Sequence, residues 1–230
     1  MASPVYCRPA AYAAFAAELP RVETTQGLFR AALAIALHEQ PEADLPAAEN
    51  ALDECADLVR RRARSDTPQA KVAHLHDVLF DVIGFRGNVE EYYDPSNSYL
   101  PAVIARRRGI PITLVLVYKY VADRLGITVY GVNAPGHFLA EVECPEVGNG
   151  QGRGLMYVDP FYGGDLLNQS EVLERVAQAT GQPVLEPAMC LARASHRQWL
   201  SRILNNLQAV FAATGRDRDV YAMQELQGLL

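Results

Sequence analysis

The sequence predicts an α+β fold: a buried central helix and a short antiparallel sheet, with helices before and a helical hairpin after. Three observations carry this reading. Residues 112–125 are apolar nearly all round, which places that helix inside the molecule. After Gly126 the chain changes to short β-rich runs at 128–132, 137–143 and 155–160. In the first ninety residues and in the tail, apolar residues instead recur every three or four positions. The chain divides on this pattern into a helical N-terminal region (1–90), a core (91–185) and a helical tail (186–230).

Taken in order, the opening stretch is Ala-rich and helical in character. It lacks the basic segment and continuous apolar run of a signal peptide. Phe29, Leu33 and Leu37 then recur every four residues, and Leu45, Ala48, Leu52, Cys55 and Val59 fit one helix face, with Pro41 and Pro46 between the two helices. A third helix begins at Pro68, turns Leu75, Leu79 and Val82 inward and ends at Gly84, followed by a loop over 84–88. His74 and His76 lie two apart on different faces of it, a spacing unsuited to a shared metal. Asp94-Pro95 and Gly109-Ile110-Pro111 bracket a short basic helix. Pro111 suits the first position of the central helix, because its missing N–H is an orphan there anyway. Thr113 falls in the first turn, where free N–H groups gather.

Beyond the central helix, 133–136 is a turn, and Phe138, Ala140 and Val142 alternate with His137, Leu139, Glu141 and Glu143. The glycine-rich stretch 148–154 precedes a strand rather than the helix that a phosphate loop requires, so it reads as a hairpin tip. Pro160 to Gly164 ends the sheet, and Ser170 caps a helix carrying Val172, Leu173, Val176 and Ala177. In the tail, Trp199, Ile203, Leu207, Val210 and Phe211 form one stripe, and a last helix carries Val220, Met223 and Leu226. Such a hairpin cannot bury both faces alone. It must dock on the body or offer a face to another chain.

The length of 230 residues suits one domain, or one domain with a helical attachment, and half the residues are hydrophobic. The longest apolar run is far shorter than a membrane span. Cys7, Cys55, Cys144 and Cys190 are scattered without CxxC spacing, which points to a reducing cytoplasm. A net charge of −6 gives no footprint for nucleic acid. The basic clusters at Arg60–Arg62 and Arg106–Arg108 lie near helix C-termini, where cations complement the dipole. No set of His, Cys and carboxylates has metal-ligand spacing, so neither metal nor cofactor is expected.

Thr113, His137 and Asp159 are the candidate catalytic residues: a hydroxyl nucleophile at a helix N-terminus, a base, and an orienting acid on successive strands. Each has a structural reading beside it. Thr113 can be an ordinary first-turn residue, and His137 with Asp159 a hydrogen-bonded pair that holds the turn after Gly136. Asn97 and Asn133 are candidate oxyanion donors or Asx turns. Tyr99, Tyr157 and Tyr162 are expected as pocket walls or core.

The runs NSYLPAVIARRRGIPITLVLVYKYVADRLG, VYGVNAPGHFLAEV and YVDPFYGG, in that order, resemble the SirB1-type branch of the transglutaminase-like superfamily. The tail HRQWLSRILNNLQAVF resembles the TPR-like helical end of those proteins. The resemblance covers residues 85–230 and implies a papain-like core. Active members carry a Cys at the N-terminus of the central helix, then a His and an Asp on successive strands. By position His137 and Asp159 match, and the Cys position falls on Thr113. A thiol ionises near pH ~8.5, and lower at a helix N-terminus, whereas an aliphatic hydroxyl stays protonated. Two readings follow. The preferred one is a non-catalytic module binding a protein or peptide, with Asn97, Tyr99, Asn133, Tyr162 and Trp199 as binding candidates. The alternative is a hydrolase or acyltransferase on amide or ester bonds, with Thr113 attacking, His137 as base and Asp159 orienting it.

Overall fold

The computed structural model describes residues 3–143, 155–182 and 186–230. Four helices open the chain: α1 (Pro9–Glu18), α2 (Thr25–Ile35), α3 (Leu45–Arg62) and α4 (Pro68–His76). The last three start from side-chain caps, with Thr24, Asp44 and Thr67 accepting from the N–H groups of Gly27, Ala47 and Ala70. Pro46 therefore stands in the first turn of α3, where a missing N–H is harmless, and not in the connection before it. Beyond α4 the winding loosens to a π-helix over Asp77–Val82, in which Ile83 donates to the Val78 carbonyl. The longer turn rotates the buried face. Val78 and Leu79 point inward, while Val82, expected inward, is exposed.

The stretch expected as a loop contains β1 (Arg86–Gly87), which pairs in parallel with β2 (Arg108–Gly109) across α5 (Leu100–Arg106). The central helix α6 (Pro111–Arg124) begins at Pro111 as its sequence predicts, and every residue from Pro111 to Ala122 is buried. That set includes Lys119. Its ammonium donates to the Val129 carbonyl at 2.6 Å, and burial lowers its pKa.

Strands β3 (Val129–Val132), β4 (Leu139–Glu143), β5 (Leu155–Asp159) and β6 (Asp165–Leu167) form an antiparallel meander in that order. The fourth strand was not legible, because Pro160–Gly164 looks like a terminus. Instead Gly163 and Gly164, at φ of 71° and 84°, reverse the chain into β6. The expected hairpin tip at 148–154, and Cys144, lie outside the described residues.

Both faces of the sheet are covered. Phe138, Ala140, Val142 and Val158 share a core with α6, and Gly131 lets the rings of Trp199 and Phe138 come within 2.7 Å of where a Cβ would stand. On the other face, Leu139, Tyr157 and Leu167 pack against Val172 and Val176 of α7 (Gln169–Thr180) and Cys190 of α8 (Pro187–Cys190). Helix α7 is capped by Asn168 in a capping box with Glu171, so Ser170 lies inside the first turn and is not the cap.

The tail forms α9 (His196–Ala213), capped by Ser195 with Gln198, and α10 (Asp217–Gln227). The stripe of Trp199, Ile203, Leu207 and Phe211 is buried against the body. One apolar cluster runs from Cys7 to Leu226. Glu225 of α10 also accepts the N–H groups of Val5, Tyr6 and Cys7, tying the two ends of the chain together. Among the described residues no helix is long and apolar enough to cross a membrane.

Candidate functional site

The site is built where the N-terminus of α6 meets the turn before β4 and the end of β5. His137 is 8% exposed, and its ring Nε2 donates to Asp159 Oδ2 at 2.7 Å. This leaves Nδ1 as the nitrogen available to a ligand. Asp159 is wholly buried and serves three partners. Arg175 of α7 donates to the same Oδ2 at 2.6 Å, and Oδ1 accepts the Phe161 N–H at 3.1 Å, capping a short 3₁₀ turn over Pro160–Tyr162. Arg175 also bonds Asp165 at 3.1 Å and lies over the Tyr162 ring, 4.7 Å from its centroid. A buried carboxylate without partners would be costly, and here both oxygens are satisfied.

Thr113 does not join this pair. Its hydroxyl is buried and faces the carbonyls of Asn97 at 2.8 Å and Ile110 at 3.0 Å. Gly109 leaves room for this hydroxyl, since a Cβ there would stand 2.8 Å from Thr113 Oγ1. Successive helical residues turn by about 100°. Pro111 and Ile112 are the ones that border the space at His137. No hydrogen bond joins Thr113 to His137 among the described residues.

Two hollows adjoin His137. The larger, about 350 Å³, is walled by Val89, Tyr92, Tyr93, Phe161 and Tyr162, with Pro111 at its floor. The smaller, about 30 Å³, lies between His137, Tyr92, Arg202 and Asn206. Neither is lined by a Ser, Thr or Cys among the described residues. The Phe161 and Tyr162 rings lie 6.3 and 6.1 Å from the His137 ring.

The other candidates divide. Tyr162 is half exposed and lines the larger hollow. Asn133 accepts from Arg202 and is a fixed part of the turn. Asn97 is no oxyanion donor, because its amide donates to the Glu91 and Tyr92 carbonyls at 2.6 and 3.2 Å and thereby shapes the loop before α5. Tyr99 is 1% exposed and packs within the main apolar cluster, so it is core and not a pocket wall. Trp199 is also core: its indole donates to the Ile112 carbonyl at 3.2 Å and its ring packs 4.7 Å from Phe138. The expectation that it faces a partner is corrected by that packing. Arg175, Arg202, Tyr92 and Tyr93 were missed. Each is an ordinary polar or aromatic residue of a helix or loop, joined to His137 only by tertiary structure.

A core in which a buried helix N-terminus meets a His just before one strand and an Asp at the end of the next defines a class, and the comparisons agree with it. The transglutaminase-like superfamily model matches residues 46–205, and the chain belongs to that superfamily. It is 37% identical over 198 residues to a UPF0162 protein of Xylella fastidiosa strain 9a5c, covering 84% of this chain and 68% of that one. A UPF0162 protein of Pseudomonas aeruginosa is 32% identical over 191 residues, covering 82% and 66%. Mouse F-box only protein 21 is 47% identical over 62 residues, 27% of this chain and 10% of its own. No solved structure matches.

Proposed function

We propose that this chain is a non-catalytic member of the superfamily, of the SirB1-type branch, that binds an extended peptide segment of a protein partner in the aromatic hollow beside His137. In this reading 91–185 is the binding unit, 1–90 its helical platform, and 186–230 a TPR-like hairpin that buttresses it. The observation that carries the reading is the direction of Thr113, whose hydroxyl is held by the Asn97 carbonyl and lines neither hollow. A base without a nucleophile beside it is a binding group. The exposed faces of Tyr93 and Tyr162 supply large contact area with few rotatable bonds, as peptide grooves do. The buried free thiols of Cys7, Cys55 and Cys190 support a cytoplasmic location.

The intact His137–Asp159 hydrogen bond favours a second reading, hydrolysis or acyl transfer at amide or ester bonds. It requires the Thr113 hydroxyl to leave Asn97 and swing toward His137. One experiment separates the two. Peptides selected from a displayed random library are remeasured by fluorescence anisotropy, alongside turnover assays on amide and ester substrates. Binding at about micromolar Kd, weakened tenfold or more by Tyr162→Ala, is the expected result. Turnover that Thr113→Ala abolishes would overturn it.

A further inference from the structure

Arg202 has a place in the fold but also an unused capacity. From the second turn of α9 its guanidinium reaches the turn before β4. Nη1 donates to Asn133 Oδ1 and to the Ala134 carbonyl at 3.1 Å, and Nη2 donates to the His137 carbonyl at 2.9 Å. A guanidinium has five N–H donors. Three are thus placed, and Nε–H with one Nη2–H has no partner among the described residues. Nε and Nη2 share one edge of the guanidinium, and that edge is spaced for the two oxygens of a carboxylate.

The charge on Arg202 is also uncompensated. Arg175, Arg193 and Arg216 each hold two carboxylates, whereas none lies within ion-pairing distance of Arg202 among the described residues. Burial depresses its pKa, the mark of a cation short of counter-charge. The hollow it borders, about 30 Å³, has room for about two water-sized groups, the footprint of a carboxylate. Tyr92 and Asn206, both polar, line the same space. Tyr92, Pro111, Gly136 and His137 border both hollows, so a ligand seated on the aromatic wall can reach into the small one.

We infer that the small hollow is a carboxylate subsite, in which Arg202 receives the terminal or side-chain carboxylate of the bound peptide. This rests on the peptide-binding reading and names the chemistry its partner must carry. The test is NMR on the full chain, following the Arg202 Nε–H and His137 ring signals. Sodium acetate is titrated against sodium chloride at matched ionic strength, then acetyl-Ala-Ala as acid and as amide, then acetyl-Asp amide. Acetate is expected to give a saturable shift that chloride does not, and the acid to bind about tenfold tighter than the amide, since a charge-assisted pair contributes about 1.5 kcal/mol or more. Acetyl-Asp amide matching the acid shows that a side-chain carboxylate is accepted as well as a terminal one, and failing to match it assigns a terminal source. Arg202→Gln should remove the shift. Asn206→Leu narrows the hollow while leaving the three turn contacts in place. It should weaken acetate with an unchanged melting temperature, and so keeps the test decisive if Arg202→Gln unfolds. Equal shifts from chloride and acetate would overturn the subsite. Equal binding of acetyl-Ala-Ala as acid and as amide would overturn it too, yet leave peptide binding standing. An acetate shift without affinity for any selected peptide would keep the subsite and sink the peptide reading.

Discussion

Replacing Asp159 by Asn changes one charge in the most densely connected part of the site and almost nothing in shape. The Oδ1 acceptor for Phe161 N–H can survive, but Oδ2 becomes an amide facing the imidazole of His137 and the guanidinium of Arg175. Removing one partner of a fully buried ion pair costs about 3–5 kcal/mol. Here the value is discounted, because the Arg175 side chain is 25% exposed and keeps Asp165 at 3.1 Å. We expect a loss of about 2–3 kcal/mol, read from urea midpoints at constant m. Arg175→Met should also destabilise, since it leaves the buried carboxylate with only His137 and the Phe161 N–H. The double variant orphans neither charge at full cost, so its loss should fall short of the two single losses by about 1–2 kcal/mol. A single-variant loss below about 0.5 kcal/mol, or losses that add within that margin, would refute the claim that Asp159 is a structural hub.

Two further outcomes follow from the fold. Burial holds the His76 pKa down at about 4 from its ordinary 6.5, beside the Tyr118 hydroxyl 3.0 Å from Nε2. As pH falls the unfolded chain binds this proton first, so the stabilisation is whole above 6.5 and is lost as pH drops toward 4, up to about 3 kcal/mol. Thermal melts between pH 7 and 4.5 should fall steeply in wild type and less so in His76→Gln; equal slopes would exclude His76 as the cause. Trp199→Ala should cost about 3–5 kcal/mol, because it empties the space under Gly131 and against Phe138 and drops the bond to the Ile112 carbonyl. Hydrogen exchange should quicken in β3 and β4 of that variant; a loss under about 1 kcal/mol would mean that the tail is not docked.

The parts of the fold legible in the sequence were those set by local chemistry. Pro111 starts α6, and Trp199, Ile203, Leu207 and Phe211 of α9 are buried as their spacing predicts. Tertiary context decided the rest. The π-helix at 77–82 has no propensity signal, so Val82 was placed one face away from where it lies. Ser170 and Asn168 are both good caps, and only the capping box with Glu171 chooses between them. At the site, spacing brought His137 and Asp159 together, but a first-turn address for Thr113 did not specify which side of the helix met the histidine. Arg175 and Arg202 lie 16 and 65 residues from the groups they hold, on helix faces that read as solvated.

That last point bears on how the His137–Asp159 pair is understood. The hydrogen bond between them looks like a catalytic base with its orienting acid, yet every group involved has a structural task. Asp159 caps the 160–162 turn and neutralises Arg175, His137 bonds the same carboxylate oxygen as Arg175, and Arg202 fixes the turn that carries His137. A pair so embedded persists whether or not a nucleophile stands beside it. Its geometry alone therefore does not argue for chemistry. The direction of the Thr113 hydroxyl does discriminate, because its two hydrogen bonds, to the Asn97 and Ile110 carbonyls, turn it away from His137. Replacing Thr113 by Val removes both bonds while keeping the shape. A binding module should tolerate the change at a cost of about 1–2 kcal/mol in stability and none in peptide affinity. An enzyme using this hydroxyl would lose its turnover outright.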